Sequence, residues 1–137
     1  MFAPRYTVFE KEVCCAVVQQ ASAFKRESSV YKALTELAQE KGWRRFRIET
    51  KDQQGFPDML FVRRGEYWLV EAKMLHKARL VSVEDDLVWQ FGQLAFMNRA
   101  LHYGNPYALV VAKGRSLACI VGGPDDVACY PDFIERG

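Results

Sequence analysis

Gly55-Phe56-Pro57-Asp58-Met59-Leu60-Phe61-Val62, followed after a short turn by Trp68-Leu69-Val70-Glu71-Ala72-Lys73, is the stretch on which the fold turns. Both halves are rich in branched and aromatic residues that suit strands. Arg64-Gly65 between them suits a tight turn, so residues 58–63 and 66–73 read as a hairpin. Side chains alternate along a strand, so Glu71 and Lys73 share one face with Leu69, while Val70 and Ala72 take the other. Asp58 opens the first strand and lies near Glu71 and Lys73 at the end of the second. Two acids and one base therefore meet inside runs otherwise fit for a sheet core.

Such a cluster is costly alone, because neighbouring carboxylates repel and a buried ion loses its hydration. A divalent cation removes that cost. Mg2+, with Mn2+ as a substitute, takes oxygen ligands octahedrally and retains several waters, so Asp58, Glu71 and the Ala72 carbonyl make a plausible half-shell. Lys73 is suited to orienting a water or neutralising charge that builds on a phosphate. The chemistry this implies is metal-assisted hydrolysis of a phosphodiester.

Outward from the hairpin, residues 7–24 lack Gly and Pro and read as a buried helix, with Thr7 as N-cap. A second helix is expected over 28–41, where Val30, Leu34, Leu37 and Ala38 recur at helical spacing and Gly42 follows. Residues 43–50 read as a strand and 51–55 as a polar turn. A basic loop at 75–83 precedes a helix over 84–103, and strands are expected at 107–112 and 117–121, with an acidic, turn-rich tail from Gly122. The order is α-α-β-β-β-α-β-β, an α/β chain with a central mixed sheet flanked by helices. In the 84–103 helix, Leu87, Phe91 and Leu94 are expected to face the core. Trp89, Phe96 and Tyr103 would form a second stripe that the N-terminal helix or another subunit covers.

Pro57-Asp58 with Glu71-Ala72-Lys73 resembles the PD-(D/E)xK nuclease motif. The Gly55-Phe56-Pro57-Asp58 form with its short hairpin resembles the virus-type replication-repair (VRR-NUC) branch, related to Holliday-junction resolvases. The resemblance covers roughly residues 27–112. It implies a single restriction-endonuclease-like domain over 1–137, with 1–26 as an N-terminal helical addition and 113–137 as a C-terminal strand and acidic tail. It also implies a structure-specific DNA endonuclease for branched or junction-like DNA in replication, repair or recombination; a phage source is compatible. In that branch a helix before the sheet supplies a further glutamate, which Glu27 matches in preference to Glu36 and Glu40, as a ligand or water-positioning group. A helix after the sheet carries a glutamine, matched by Gln93 with Gln90 as a rival. The family often has another glutamine about one turn after the first glutamate; Tyr31 stands there instead. Pro124-Asp125 repeats the first string but has no strand or ExK after it.

The chain has 137 residues, half of them apolar, and its formal charge is only +2. Between residues 41 and 79, however, ten Lys/Arg face five Asp/Glu, while residues 80–137 carry four against seven. The basic balance surrounds the expected site, and Arg44, Arg45, Lys51, His76, Lys77 and Arg79 are candidate contacts for a DNA backbone. Four cysteines without CxxC or zinc spacing and two histidines fit a reducing, cytoplasmic setting with core thiols. No apolar run approaches the length of a membrane span, no secretory leader is apparent, and no small-molecule cofactor is called for. So short a chain suggests a homodimer that completes the DNA-binding surface. The rival reading is a catalytically silent nuclease-fold module that binds DNA or a protein, as an accessory factor or host-system inhibitor.

Overall fold

The computed structural model describes residue 13 and residues 26–47, 55–76, 83–113, 116–121 and 127–129. Apart from the buried Val13, the expected helix at 7–24 lies outside the described residues, as do Lys51, Lys77, Arg79 and Pro124-Asp125. Helix α1 (Glu27–Glu40) buries Val30, Leu34, Leu37 and Ala38, the stripe that its 3–4 spacing defines. Gly42 ends it with φ +87°, and the Trp43 amide donates back to the Ala38 carbonyl at 2.9 Å, which turns the chain into the sheet.

Among the described residues, six strands make one sheet in sequential order: β1 (Arg44–Arg47), β2 (Met59–Arg63), β3 (Glu66–Met74), β4 (Tyr107–Lys113), β5 (Ser116–Val121) and β6 (Val127–Cys129). All neighbours are antiparallel except β3 and β4, which run parallel, because helices α2 (Val83–Asp86) and α3 (Gln93–His102) carry the chain back between them. The mixed sheet with helices on both faces is the architecture expected from the sequence. α1 packs on a core that includes Phe61, Val70 and Val110, while α3 covers the other face over Leu69, Leu109 and Val111. Arg64 (φ 48°) and Gly65 (φ 81°) form the hairpin turn, both left-handed as a type I′ turn requires.

Strand β3 lies at the centre, and its two edges are not equally covered. β4 pairs with it from Leu69 to Met74, whereas β2 pairs only from Glu66 to Val70. Pro57 and Asp58 leave the ladder, so among the described residues the β2 side of β3 has no strand partner beyond Val70. This gap holds the site.

Three expectations change. The 84–103 helix is two helices separated by residues 87–92, and Gly92 ahead of α3 is left-handed at φ 84°. Phe91, expected in the core, is 84% exposed, and Trp89, Phe96 and Tyr103 do not form one helical stripe, which removes the geometric basis for a covered face there. The tail contributes β6, and Cys129 stands opposite Cys119 in register with β5. Among the described residues no helix is long and apolar enough to cross a membrane.

The break has a tertiary cause. Gly55, at φ +86°, lies so close to the Gly92–Gln93 backbone that a Cβ would stand 2.2 Å from the Gly92 carbonyl oxygen. Gly65 has a similar φ of +81° but open space around it. Gly55→Ala is therefore expected to cost roughly 3 kcal/mol, from left-handed strain plus overlap with backbone that cannot move aside, and Gly65→Ala only about 1 kcal/mol. Urea unfolding of the two variants checks this; equal losses would contradict the close approach.

Candidate active site

Tyr31, on α1 one turn after Glu27, reaches into the gap beside β3. The Ala72 amide, left without a β2 partner, donates to the Tyr31 hydroxyl oxygen at 2.8 Å. That oxygen also lies 3.0 Å from Glu71 Oε2 and 3.2 Å from Asp58 Oδ2. Two carboxylates thus face one phenol. The hydroxyl has one proton and two lone pairs, and Ala72 takes one of the pairs. Its proton serves one carboxylate, and the other carboxyl bonds the phenol fully only when it carries a proton itself.

Glu71 is the carboxyl suited to carry it. It is 1% exposed, and burial, then the charge of Asp58, pushes its pKa up to about 7. Lys73 and the Tyr31 hydroxyl oppose that rise, while Glu27 adds to it weakly. Burial and the Glu71 charge push the Tyr31 phenol well above its usual range, so it stays neutral. Asp58, by contrast, is exposed and opens the cluster to solvent.

Gln93 ties the acid to the base. Its Nε2 donates to Glu71 Oε1 at 3.3 Å, and its Oε1 accepts from Lys73 Nζ at 2.5 Å and from the Gln90 amide at 2.9 Å. Lys73, 3% exposed, also stands 5.1 Å above the Trp89 ring, a cation–π contact that helps offset its burial. Of the two glutamines, Gln93 makes the side-chain contacts, and Gln90 contributes its backbone. Breaking the helix before Gln93 is what starts α3 at this side chain, beside Lys73.

Glu27 is exposed and acts on Glu71 only through its charge. Arg44 and Arg45 do not flank the cluster. Arg44 pairs with Val62, at the opposite end of β2 from Asp58, and Arg45 donates to Thr35 Oγ1 at 3.5 Å. Lys41, Arg44, Arg63 and Arg64 instead line a basic cavity of about 360 Å³ at that far end. His76 is exposed just beyond the end of β3.

Tyr31 is the residue that sequence reasoning passed over. Its spacing from Glu27 put it on the same helix face, but the amide that recruits it is freed only by the parting of β2 from β3.

The donor set fits a hard cation. Among the described residues no three His, Cys, Asp or Glu side chains stand close enough to hold a metal, so the protein ligands would be the Asp58 and Glu71 carboxylates with a backbone oxygen. A strand residue sends its N–H and C=O to the same edge, so the Ala72 carbonyl faces the gap with its amide. Two carboxylates, a carbonyl and waters make a shell of the kind Mg2+ accepts. The buried Tyr107 hydroxyl, which has no hydrogen-bond partner among the described residues, lies within electrostatic reach of Glu71 and Asp58, where ordered water would satisfy it.

No family model matches the chain, and no curated protein matches it. Among solved structures, Archaeoglobus fulgidus Hjc, a Holliday junction resolvase from an archaeal hyperthermophile, is similar, at 14% identity and a TM-score of 0.45 over 70% of this chain and 72% of that one.

Because the folded pKa of Glu71 lies above its ordinary 4.5, the stability its protonated form contributes is fully present below about pH 4.5 and is lost as pH rises through about 7. In EDTA, thermal unfolding of the wild type is expected to fall across this window more steeply than that of Glu71→Gln. Parallel profiles would contradict the assignment.

Proposed function

We propose that the protein is a metal-dependent DNA endonuclease of the PD-(D/E)xK type, in the virus-type replication-repair and Holliday-junction-resolvase-like branch, which cuts phosphodiester bonds in branched DNA. The observation that carries this reading is the convergence of Asp58 and Glu71 on one phenol, with buried Lys73 linked to Glu71 through Gln93. A purely structural ion pair does not call for a second acid beside the first, nor for a buried lysine held apart from it by an amide.

Asp58, Glu71 and the Ala72 carbonyl would hold Mg2+ or Mn2+, which when bound supplies Lewis-acid polarisation of a phosphate and a water of lowered pKa. The remaining roles belong to the chain. Tyr31 holds both carboxyl groups in place: its Oη–H donates to Asp58 Oδ2, and a proton on Glu71 Oε2 donates to Oη, a proton that Glu71 would give up to solvent on serving as a ligand. Gln93 fixes Lys73 Nζ by accepting a hydrogen bond from one of its N–H groups, which leaves the others to orient a water or meet charge on the phosphate. Trp89 restricts water around Lys73. Glu27, at the mouth of the site, is suited to positioning a water.

DNA is the partner this reading implies. The basic cavity lined by Lys41, Arg44, Arg63 and Arg64 lies a strand's length from Asp58, roughly 17 Å for five residues. It is suited to a phosphate further along the same duplex or on another arm of a branch. A homodimer would bring two such surfaces together.

Purified protein is expected to cut branched DNA with Mg2+ and not with EDTA, across a panel of junctions, flaps and linear duplexes. Asp58→Asn and Lys73→Met should lower the rate more than about 100-fold with unchanged far-UV circular dichroism. Full activity in both folded variants, or no cleavage of any DNA with either metal, would overturn the reading, and the latter would leave the silent binding module. Separately, Arg44→Ala with Arg64→Ala should weaken DNA binding and lower the slope of log affinity against log salt by about 2. An unchanged slope would remove the far cavity from the DNA path.

A further inference from the structure

A second cavity, of about 430 Å³, opens on the face of the sheet that carries Leu69, Glu71 and Lys73. Its size falls within the range of small-molecule sites. It adjoins the acidic cluster along β3 and along the segment that leads into β2. Leu69 lines it and stands two residues before Glu71, about 7 Å along β3. Phe56 lines it as well and stands two residues before Asp58.

The walls are aromatic and the one charge is positive. Phe56 and Phe96 meet with ring centroids 5.0 Å apart at 60°. Tyr67 and Tyr103 are 39% and 74% exposed, and Arg99 is the only charged lining residue among those described. The Tyr67 hydroxyl donates to Asn105 Oδ1 at 2.7 Å, so this ring is held before any ligand arrives. Flat apolar walls with a single cation suit a ligand with a π face and an anionic attachment. They do not suit a metal ion or free phosphate, for which most of the lining offers nothing.

We propose that this cavity receives an unstacked nucleobase of the strand being cut, one nucleotide from the phosphate at Asp58 and Glu71. The proposal rests on the endonuclease reading above and deepens it, since it names an unpaired base as part of the substrate. The 7 Å between Leu69 and Glu71 is of the order of one extended nucleotide step. A base in a continuous duplex cannot leave its stack without loss, whereas one at a branch or mismatch already has. Tyr103 and Tyr67 would stack on it with little regard to sequence, and Arg99 would meet its phosphate. Selection for branched DNA then follows from the availability of the base, with no need to read base edges.

The test uses the full chain with labelled aromatic rings, observed by NMR. Titration with dAMP is expected to shift the Tyr67 and Tyr103 ring signals, titration with 2-deoxyribose 5-phosphate is not, and Tyr103→Ala should weaken dAMP binding about 10-fold. In the cleavage arm, an abasic residue beside the scissile phosphate should slow the wild type about 10-fold and leave Tyr103→Ala no slower than it is on intact DNA. Absence of a dAMP effect, an equal effect of the sugar phosphate, or ring shifts that depend on protein concentration alone, as a second copy in the cavity would give, overturns the proposal. DNA cleavage indifferent to the abasic residue removes this site and leaves the endonuclease reading in place. Base-specific ring shifts without cleavage of any DNA support the cavity and remove the reading on which the cutting role rests.

Discussion

The gap beside β3 is the constraint on which the remaining structure depends. Once β2 parts from β3 after the Met59–Val70 pair, a central strand has an amide and a carbonyl with no ladder partner among the described residues. An unpaired amide in a buried strand costs roughly 1–3 kcal/mol. The Tyr31 hydroxyl satisfies it at 2.8 Å and in doing so stands between Asp58 and Glu71. The same divergence that would weaken a sheet brings together a phenol, two carboxyl groups and a carbonyl at one point.

Around that point the fold works to keep charges buried without letting them cancel. Lys73 and Glu71 lie two residues apart on one strand face, and a direct ion pair would have been the simplest arrangement. Gln93 is inserted between them, accepting from the ammonium and donating to the carboxylate. Its position requires that α3 begin where it does. This in turn requires the left-handed Gly92 and a neighbour, Gly55, with no side chain. The turn ahead of Asp58 and the start of α3 are thus fixed against each other by backbone contact, which couples the placement of the acid to that of the amide.

Much of this was legible in one dimension. Alternation put Glu71 and Lys73 on one face, Arg64-Gly65 marked the hairpin, and the periodic Val30, Leu34, Leu37 and Ala38 marked α1. What was not legible depended on contacts between distant segments. The span 84–103 has helical periodicity throughout, and nothing local to Gly92 announces that Gly55 will press on it. Tyr31 stood out only as a departure from a family pattern, because the amide that binds it comes from a strand 41 positions away. The local excess of positive charge was correct as a count, but the register of β1 on β2 carries Arg44 to the far end of the hairpin, where it joins Lys41, Arg63 and Arg64.

The endonuclease reading depends on the cation site proposed for Asp58, Glu71 and the backbone at Ala72. Paramagnetic broadening by Mn2+ in amide NMR spectra tests it most directly, since broadening falls off steeply with distance from the ion. The amides of Asp58, Glu71 and Ala72 should disappear first on titration, and Asp58→Asn should abolish the effect. Broadening centred instead on Glu84, Asp85 and Asp86, the acidic run of α2, or unaffected by Asp58→Asn, would contradict it.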